Sequence, residues 1–554
     1  MTMTESPPTE AAESSAAPLP GVSGLYGWLT TSDHKVIART WLYVGLLMLV
    51  AATALGVAIS AERLDPASID IFGGTNGYVQ MWALYRFGLV FLVAVPLFIG
   101  LATAIVPMQV GSTNIAFPRA AAAAAWGYLL GAVILIASVL SNGGWGAVDG
   151  VSGDERDAIQ LTLLGTGLVV ASIMLASICI ATTVISLRTP GMGLTKTPLF
   201  AWSMLITATV WILTFPVLIA NLVITYVDLL RFNTPEITGI YSGDLEPSLA
   251  VYGQLAWIFE QPAIYSVGVP VLGVASAVIP VVAKGRQVSH PAMMALIGLA
   301  GLLAVGGWSQ PFFSDERDTL VYVAFGVLAV LPVLGVLGGN MATLMKGEAP
   351  VGIPPAQMVG ALGATLLLLL ATIAGALRVI EPLDLISPVE TTATTGVMNL
   401  ALYAAVLGAL AGWWFWAPKT NGKLFSAVQG AGAMSLILIG TAVLGLTDVI
   451  AGFAGAPDVM LEDVGDSLVD SMVVISFVGA IIVLLGVLGA DGAITLAVLK
   501  GDVDPGDDPW DGHTLEWATS SPPPAGNFAE PPAKVLSEAP LLDAASTDDE
   551  GGES

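Results

Sequence analysis

Histidine is nearly absent from this 554-residue chain, which has three: His34, His290 and His513. Cysteine is rarer still. Cys179 stands alone, so no intrachain disulfide can form, and it reads as a small packing residue. Charge is scarce: Asp, Glu, Lys and Arg make up 11% of residues against 55% hydrophobic, which excludes an ordinary soluble domain. Basic residues are the rarer sign, 18 against 43 acidic, for a formal net charge of −25. That balance excludes a nucleic-acid surface. No P-loop, dinucleotide fingerprint, zinc spacing or nucleophile elbow stands in a context that could use it. The first 33 residues are rich in Pro, Ser, Ala and Glu and lack the apolar core of a cleavable signal peptide.

What the chain does have is long uncharged apolar runs. Runs of roughly 20 residues, the length that crosses hydrocarbon, begin near Val36, Tyr78, Phe117, Gln160, Pro198, Val251, His290, Thr319, Pro355, Ala393, Phe425 and Leu468. The period-2 alternation of a barrel is missing. The expected class is therefore all-α, a polytopic membrane protein of about twelve transmembrane helices. Residues 34–500 form the bundle, between a disordered tail at 1–33 and an acidic, Pro-rich tail at 501–554. Threaded in order, Lys35, Arg119, Arg188, Lys196, Lys284, Arg286, Lys346, Lys419, Lys423 and Lys500 share one side, so both termini are expected in the cytoplasm.

Several motifs lie in a telling order. They are Trp28-Leu-Thr-Thr-Ser-Asp-His-Lys-Val-Ile-Ala38, the loop Pro107 to Arg119, Arg188-Thr-Pro-Gly-Met192, Pro198-Leu-Phe-Ala-Trp202, Trp257-Ile-Phe-Glu-Gln-Pro-Ala-Ile-Tyr265, Ala411 to Lys419, and Asp508 to Pro524 followed by Asn527-Phe528. Together they resemble subunit I of the heme-copper oxidases over nearly the full length. The resemblance implies a twelve-helix bundle, oxygen reduction with proton pumping, heme and copper as cofactors, and other respiratory subunits as partners.

Against that pattern the chemical groups are missing together. The family's six ligand histidines cannot be supplied by three. The copper positions fall on Gln261, Ser309 and Gln310, and the heme-ligand positions near Tyr85 and on Gly396 and Met398. Of the sixth-helix groups only Tyr265 remains, since the proton-carrying Glu falls on Ala263. The proton routes fall on Asn114, on alanines 120–125, and on Val333 and Val336, while the Arg pair that holds heme propionates falls on Asp458 and Val459. His34 reads as an anchor at a helix start and His513 as part of a solvent-side tail.

The reading that follows is a pseudoenzyme: a catalytically inactive, oxidase subunit I-like protein of the plasma membrane. It would serve as a structural or accessory subunit of an aerobic respiratory complex, with no heme or copper expected. The alternatives are an active terminal oxidase with unusual ligands and a repurposed transporter or receptor. Four ionisable residues lie in or near spans: Arg86, Asp228, Glu260 and Asp448. A charge in hydrocarbon costs on the order of 3 kcal/mol even on permissive scales, so such groups pair or face water. Asp228 reads as interfacial beside Arg231. Arg86 is expected to pair with Asp448 or, failing that, Glu260, plugging the space next to the lost heme ligand.

Overall fold

The computed structural model describes residues 25–231, 255, 258, 263–305, 319–380, 391–459, 465–500 and 504–544, less residues 142, 146–152, 349, 351, 353 and 533. Helices form where the sequence is apolar for a bilayer's thickness. They are α1 (His34–Glu62), α2, α3 (Pro118–Leu140), α4 (Gly153–Ser186), α5 (Leu199–Arg231), α6, α7 (His290–Val305), α8, α9 (Ala356–Val379), α10 (Thr392–Asn421), α11 (Ala427–Phe453) and α12 (Ser467–Lys500). Three are composite. Helix α2 runs Thr75–Phe87, then a π-helical turn Gly88–Ala94, then Val95–Gln109. Helix α6 comprises the 3-10 turn Ala263–Gly268 and Val269–Val282, and α8 comprises Thr319–Leu328 and Val330–Lys346. Among the described residues, eleven of the twelve are long and apolar enough to cross a membrane, and 16 residues of α7 are described. The protein is an all-α, multi-pass membrane protein. Among the described residues the only β pairing is the isolated bridge Thr391 to Pro457.

Two helices form the axis of the bundle. All residues of α10 from Thr392 to Thr420 are buried, and so is the apolar window of α2. Small residues let neighbours approach them closely, as membrane helix packing requires. A Cβ on Gly412 would already touch Leu101 and Trp416, and one on Gly408 would touch Val271. The outer helices present Leu130, Leu213, Leu302, Leu334 and Leu485 outward, where lipid replaces a protein partner.

The chain ends depart from the expected tails. Leu25–Thr30 is a helix, and Trp28 packs edge-on against Trp126 with its indole nitrogen donating to Thr40 at 2.9 Å. At the other end, residues 504–544 fold back onto the bundle. Trp510 donates to the Phe415 carbonyl at 2.9 Å, Lys419 to the Asp507 carbonyl at 2.8 Å, and Asn527 to the Ser112 carbonyl at 2.8 Å. His34, at the start of α1, bridges the Thr103 carbonyl at 2.8 Å and Asn527 Oδ1 at 2.9 Å. Its role is to tie α1, α2 and the C-terminal segment together.

Candidate functional site: a buried cluster of charge and tyrosine

Where α1, α2, α10, α11 and α12 meet, their facing residues surround a cavity of about 20 Å³. Helix α1 contributes Thr53, Gly56, Ser60 and the following Arg63; α2 contributes Tyr78, Trp82 and Tyr85; α10 contributes Thr395, Asn399 and Tyr403. Spacings of three and four put each set on one helix face.

Arg86 is 0% exposed and its guanidinium forms an ion pair with Asp458. Thr395 donates to Asp458 and accepts from Arg86, closing a triangle, while the cation sits 4.1 Å from the centroid of the Trp82 ring. A second pair lies beside it: Arg63 Nη1 to Asp448 Oδ1 at 3.2 Å, with Ser476 donating to the same oxygen at 2.8 Å. Tyr85 donates to Asn399 Oδ1 at 3.0 Å and lies 3.3 Å from the Tyr403 hydroxyl.

The pairing differs from the sequence expectation. Arg86 meets Asp458, not Asp448, because Asp448 is already held by Arg63. That residue sits one position beyond the end of α1, outside the apolar run, and so carries no signal of burial in the sequence. Asp458 follows α11 and reaches Arg86 of α2; it stands where the resemblance puts one of the propionate-binding arginines, with the opposite charge. Glu260, Gln261, Ser309 and Gln310 lie outside the described residues, as does the side chain of Asp228.

The remaining positions fall in two places. Tyr85 lines the cavity. A Cβ on Gly396 would lie 2.6 Å from the Gly445 carbonyl oxygen and 2.7 Å from the Val449 nitrogen; the position faces the backbone of α11, and its neighbour Thr395 faces the cavity instead. Met398 is buried in the bundle and is not among the cavity residues. Tyr265 donates to the Ala371 carbonyl at 3.2 Å and borders a smaller cavity of about 10 Å³ whose wall includes Leu272, Val333, Leu368 and Thr372. Val336 is fully buried in α8. Asn114 is used locally, accepting from Ile115 at 2.8 Å and donating to the Ser32 carbonyl at 3.1 Å.

The C-terminal segment supplies residues that the sequence reading left in solvent. Glu516 is buried and accepts from Gln109 at 2.9 Å and Trp416 at 3.2 Å. His513 is buried too and shares a cavity of about 50 Å³ with Arg286, Gln287, His290 and Glu538. Burial lowers the His513 imidazole below the ordinary histidine value; Arg286 pushes the same way and Asp511 against it. The docked segment therefore prefers neutral His513. That contribution is complete above the unfolded pKa of about 6.5 and is lost as pH falls through the folded value. Glu516 works the other way, since burial raises its carboxyl against the pull of Gln109, Thr514 and Trp416. Protease cleavage within residues 504–544 should increase as the pH drops below about 6.5, and His513→Asn should flatten that rise. A variant profile identical to the parent's would assign the dependence to another group.

The family model described as Cytochrome C and Quinol oxidase polypeptide I matches residues 36–482. The chain belongs to that family. It is 28% identical to the protein named cytochrome c oxidase subunit 1-beta in Streptomyces coelicolor, over 94% of this chain and 90% of that one. It is 27% identical to cytochrome c oxidase subunit 1 of Bacillus subtilis, over 92% and 82% of the two chains. With subunit 1 of the cytochrome bo(3) ubiquinol oxidase of Buchnera aphidicola the identity is 26%, over 91% and 77%.

Membership corrects the expectation that no cofactor belongs here, because the groups to which the family points are heme and copper. The described residues do not build a recognisable seat for either. The space among α1, α2, α10, α11 and α12 is about 20 Å³, the room of a water and not of a porphyrin, and it is lined by guanidinium, carboxylate, phenol and amide groups. His34 is committed to Thr103 and Asn527, and His290 and His513 line the cavity under the C-terminal segment. No reaction step is therefore assigned to either group.

Proposed function

We propose that this family member is a structural or accessory subunit of an aerobic respiratory, cytochrome c oxidase-type complex in the plasma membrane, and that it does not itself reduce oxygen. One observation carries the reading. At the meeting of α1, α2, α10, α11 and α12, two buried arginines and two buried aspartates compensate one another. Such a cluster holds helices in register. Proton movement needs ionisable groups or water on polar side chains, and the positions of the family's routes carry Val333 and Val336, both buried among apolar neighbours.

Both termini lie on the cytoplasmic side in this reading. The docked C-terminal segment shares its face with Lys35, Arg286 and Lys419, each of which bonds to it, and basic residues mark the inner face. Among the described residues, the cavities inside the bundle of about 20 and 10 Å³ are too small for a solute, which favours the accessory reading over a transporter.

Purification of the tagged chain from its native membrane in mild detergent tests the role. Oxidase-type subunits should be retained at fixed stoichiometry through a second chromatographic step. Recovery of the chain alone, monodisperse and folded, would contradict an accessory role.

A further inference from the structure

The ion pairs leave part of the buried cluster unused. Arg63 Nε and Nη2, the Tyr78 hydroxyl and Asp448 Oδ2 are buried and have no hydrogen-bond partner among the described residues. All three residues are more than nine-tenths buried, and all three line the 20 Å³ cavity. Buried polar atoms of native proteins are almost always satisfied, so four such atoms around one space describe the missing partner. It must accept hydrogen bonds from a guanidinium and a phenol, and it must donate one to a carboxylate oxygen.

Size narrows the choice. A water needs roughly 10–15 Å³ of such space, so the cavity takes one, and nothing larger than a monatomic ion could compete. Charge and hydrogen-bond direction decide between them. A halide accepts from Arg63 and Tyr78 but has no hydrogen for Asp448 Oδ2, and it would add a third negative charge beside Asp448 and Asp458. A water accepts one bond from Arg63 and one from Tyr78 and donates to Asp448, which answers three of the four atoms.

We propose that this cavity is a binding site for one ordered water, held by Arg63, Tyr78 and Asp448. With it, Asp448 is satisfied at both oxygens: Oδ1 by Arg63 and Ser476, Oδ2 by the water. The water becomes a structural part of the joint between α1, α2 and α11. This inference does not depend on the accessory role.

X-ray radiolytic footprinting of the full chain in detergent tests it, because a bound water generates hydroxyl radical in place and labels its buried neighbour. Tyr128 is the internal control. It is fully buried, its hydroxyl donates to the Leu92 carbonyl at 2.7 Å, and it does not border this cavity. Tyr78 should be labelled several-fold faster than Tyr128; equal rates would overturn the proposal. Ala480 also lines the cavity, and Ala480→Val should cut Tyr78 labelling while the far-ultraviolet helical signal is kept. Labelling unchanged in that folded variant would count against the site. If sodium bromide, but not sodium sulfate at equal ionic strength, suppresses Tyr78 labelling and raises the unfolding temperature, the occupant is an anion and the water assignment is wrong.

Discussion

Arg86→Leu should destabilise the fold by about 3 to 5 kcal/mol, the range for removing one partner of a buried ion pair. Arg86 is 0% exposed and the Asp458 side chain 3%, so solvent screens neither charge once the other is gone. The loss would show as a lowered unfolding midpoint in detergent. Because the penalty is that of an uncompensated Asp458, Asp458→Leu in the same chain should recover part of it. The double variant should then be more stable than the sum of the two single losses implies, by about 0.5 to 3 kcal/mol as for residues in direct contact. Strict additivity would mean that Arg86 and Asp458 do not act as a pair.

The second large effect concerns Asp448. Asp448→Leu removes the partner of Arg63 and an acceptor of Ser476, and the expected loss is again about 3 to 5 kcal/mol. The informative comparison is between second-site changes. Arg63→Leu should relieve the loss, because it removes the stranded cation. Arg86→Leu should deepen it, because Arg86 belongs to Asp458. Relief by Arg86→Leu would restore the pairing expected from sequence and overturn the assignment derived from the geometry.

Much of the architecture was legible because hydrocarbon imposes a simple rule on composition. Most expected starts fall within a few residues of a helix start; Gln160 lies seven residues inside α4, and the expected start at Val251 lies outside the described residues. The scarcity of histidine was legible by counting. What was not legible was which way a single residue of α10 faces and what a charge just outside a run would meet. Successive residues on a helix point about 100° apart, so an alignment onto Gly396 names a residue that faces the α11 backbone, whereas Thr395 and Asn399 face the cavity. Arg63 lies one residue past α1, outside the apolar run, where nothing in the sequence signals its burial. The C-terminal segment carries no hydrophobic period to announce its docking. Its anchors are single side chains, such as Asn527 on Ser112 and Glu516 on Gln109, bonded across more than 400 residues of sequence. The order of its motif hinted at a built structure, but not at what it touches.

The charge cluster sits inside the family's scaffold without burdening its helix crossings. Small residues at helix crossings, Gly408 and Gly412 among them, preserve the close approach of α10 to α6 and α2. Those contacts do not depend on what fills the space between α2 and α10. The two compensating pairs keep that space electroneutral and leave the crossings untouched.

Oxygen uptake is the most direct test of the central claim. The chain, expressed with heme and copper supplied and with its co-purifying subunits but no other subunit I, would be given reduced cytochrome c or a quinol in an oxygen-electrode cell. The expected result is no cyanide-sensitive uptake above that of membranes lacking the chain. Cyanide-sensitive turnover that scales with the amount of this chain, and survives its purification, would contradict the account.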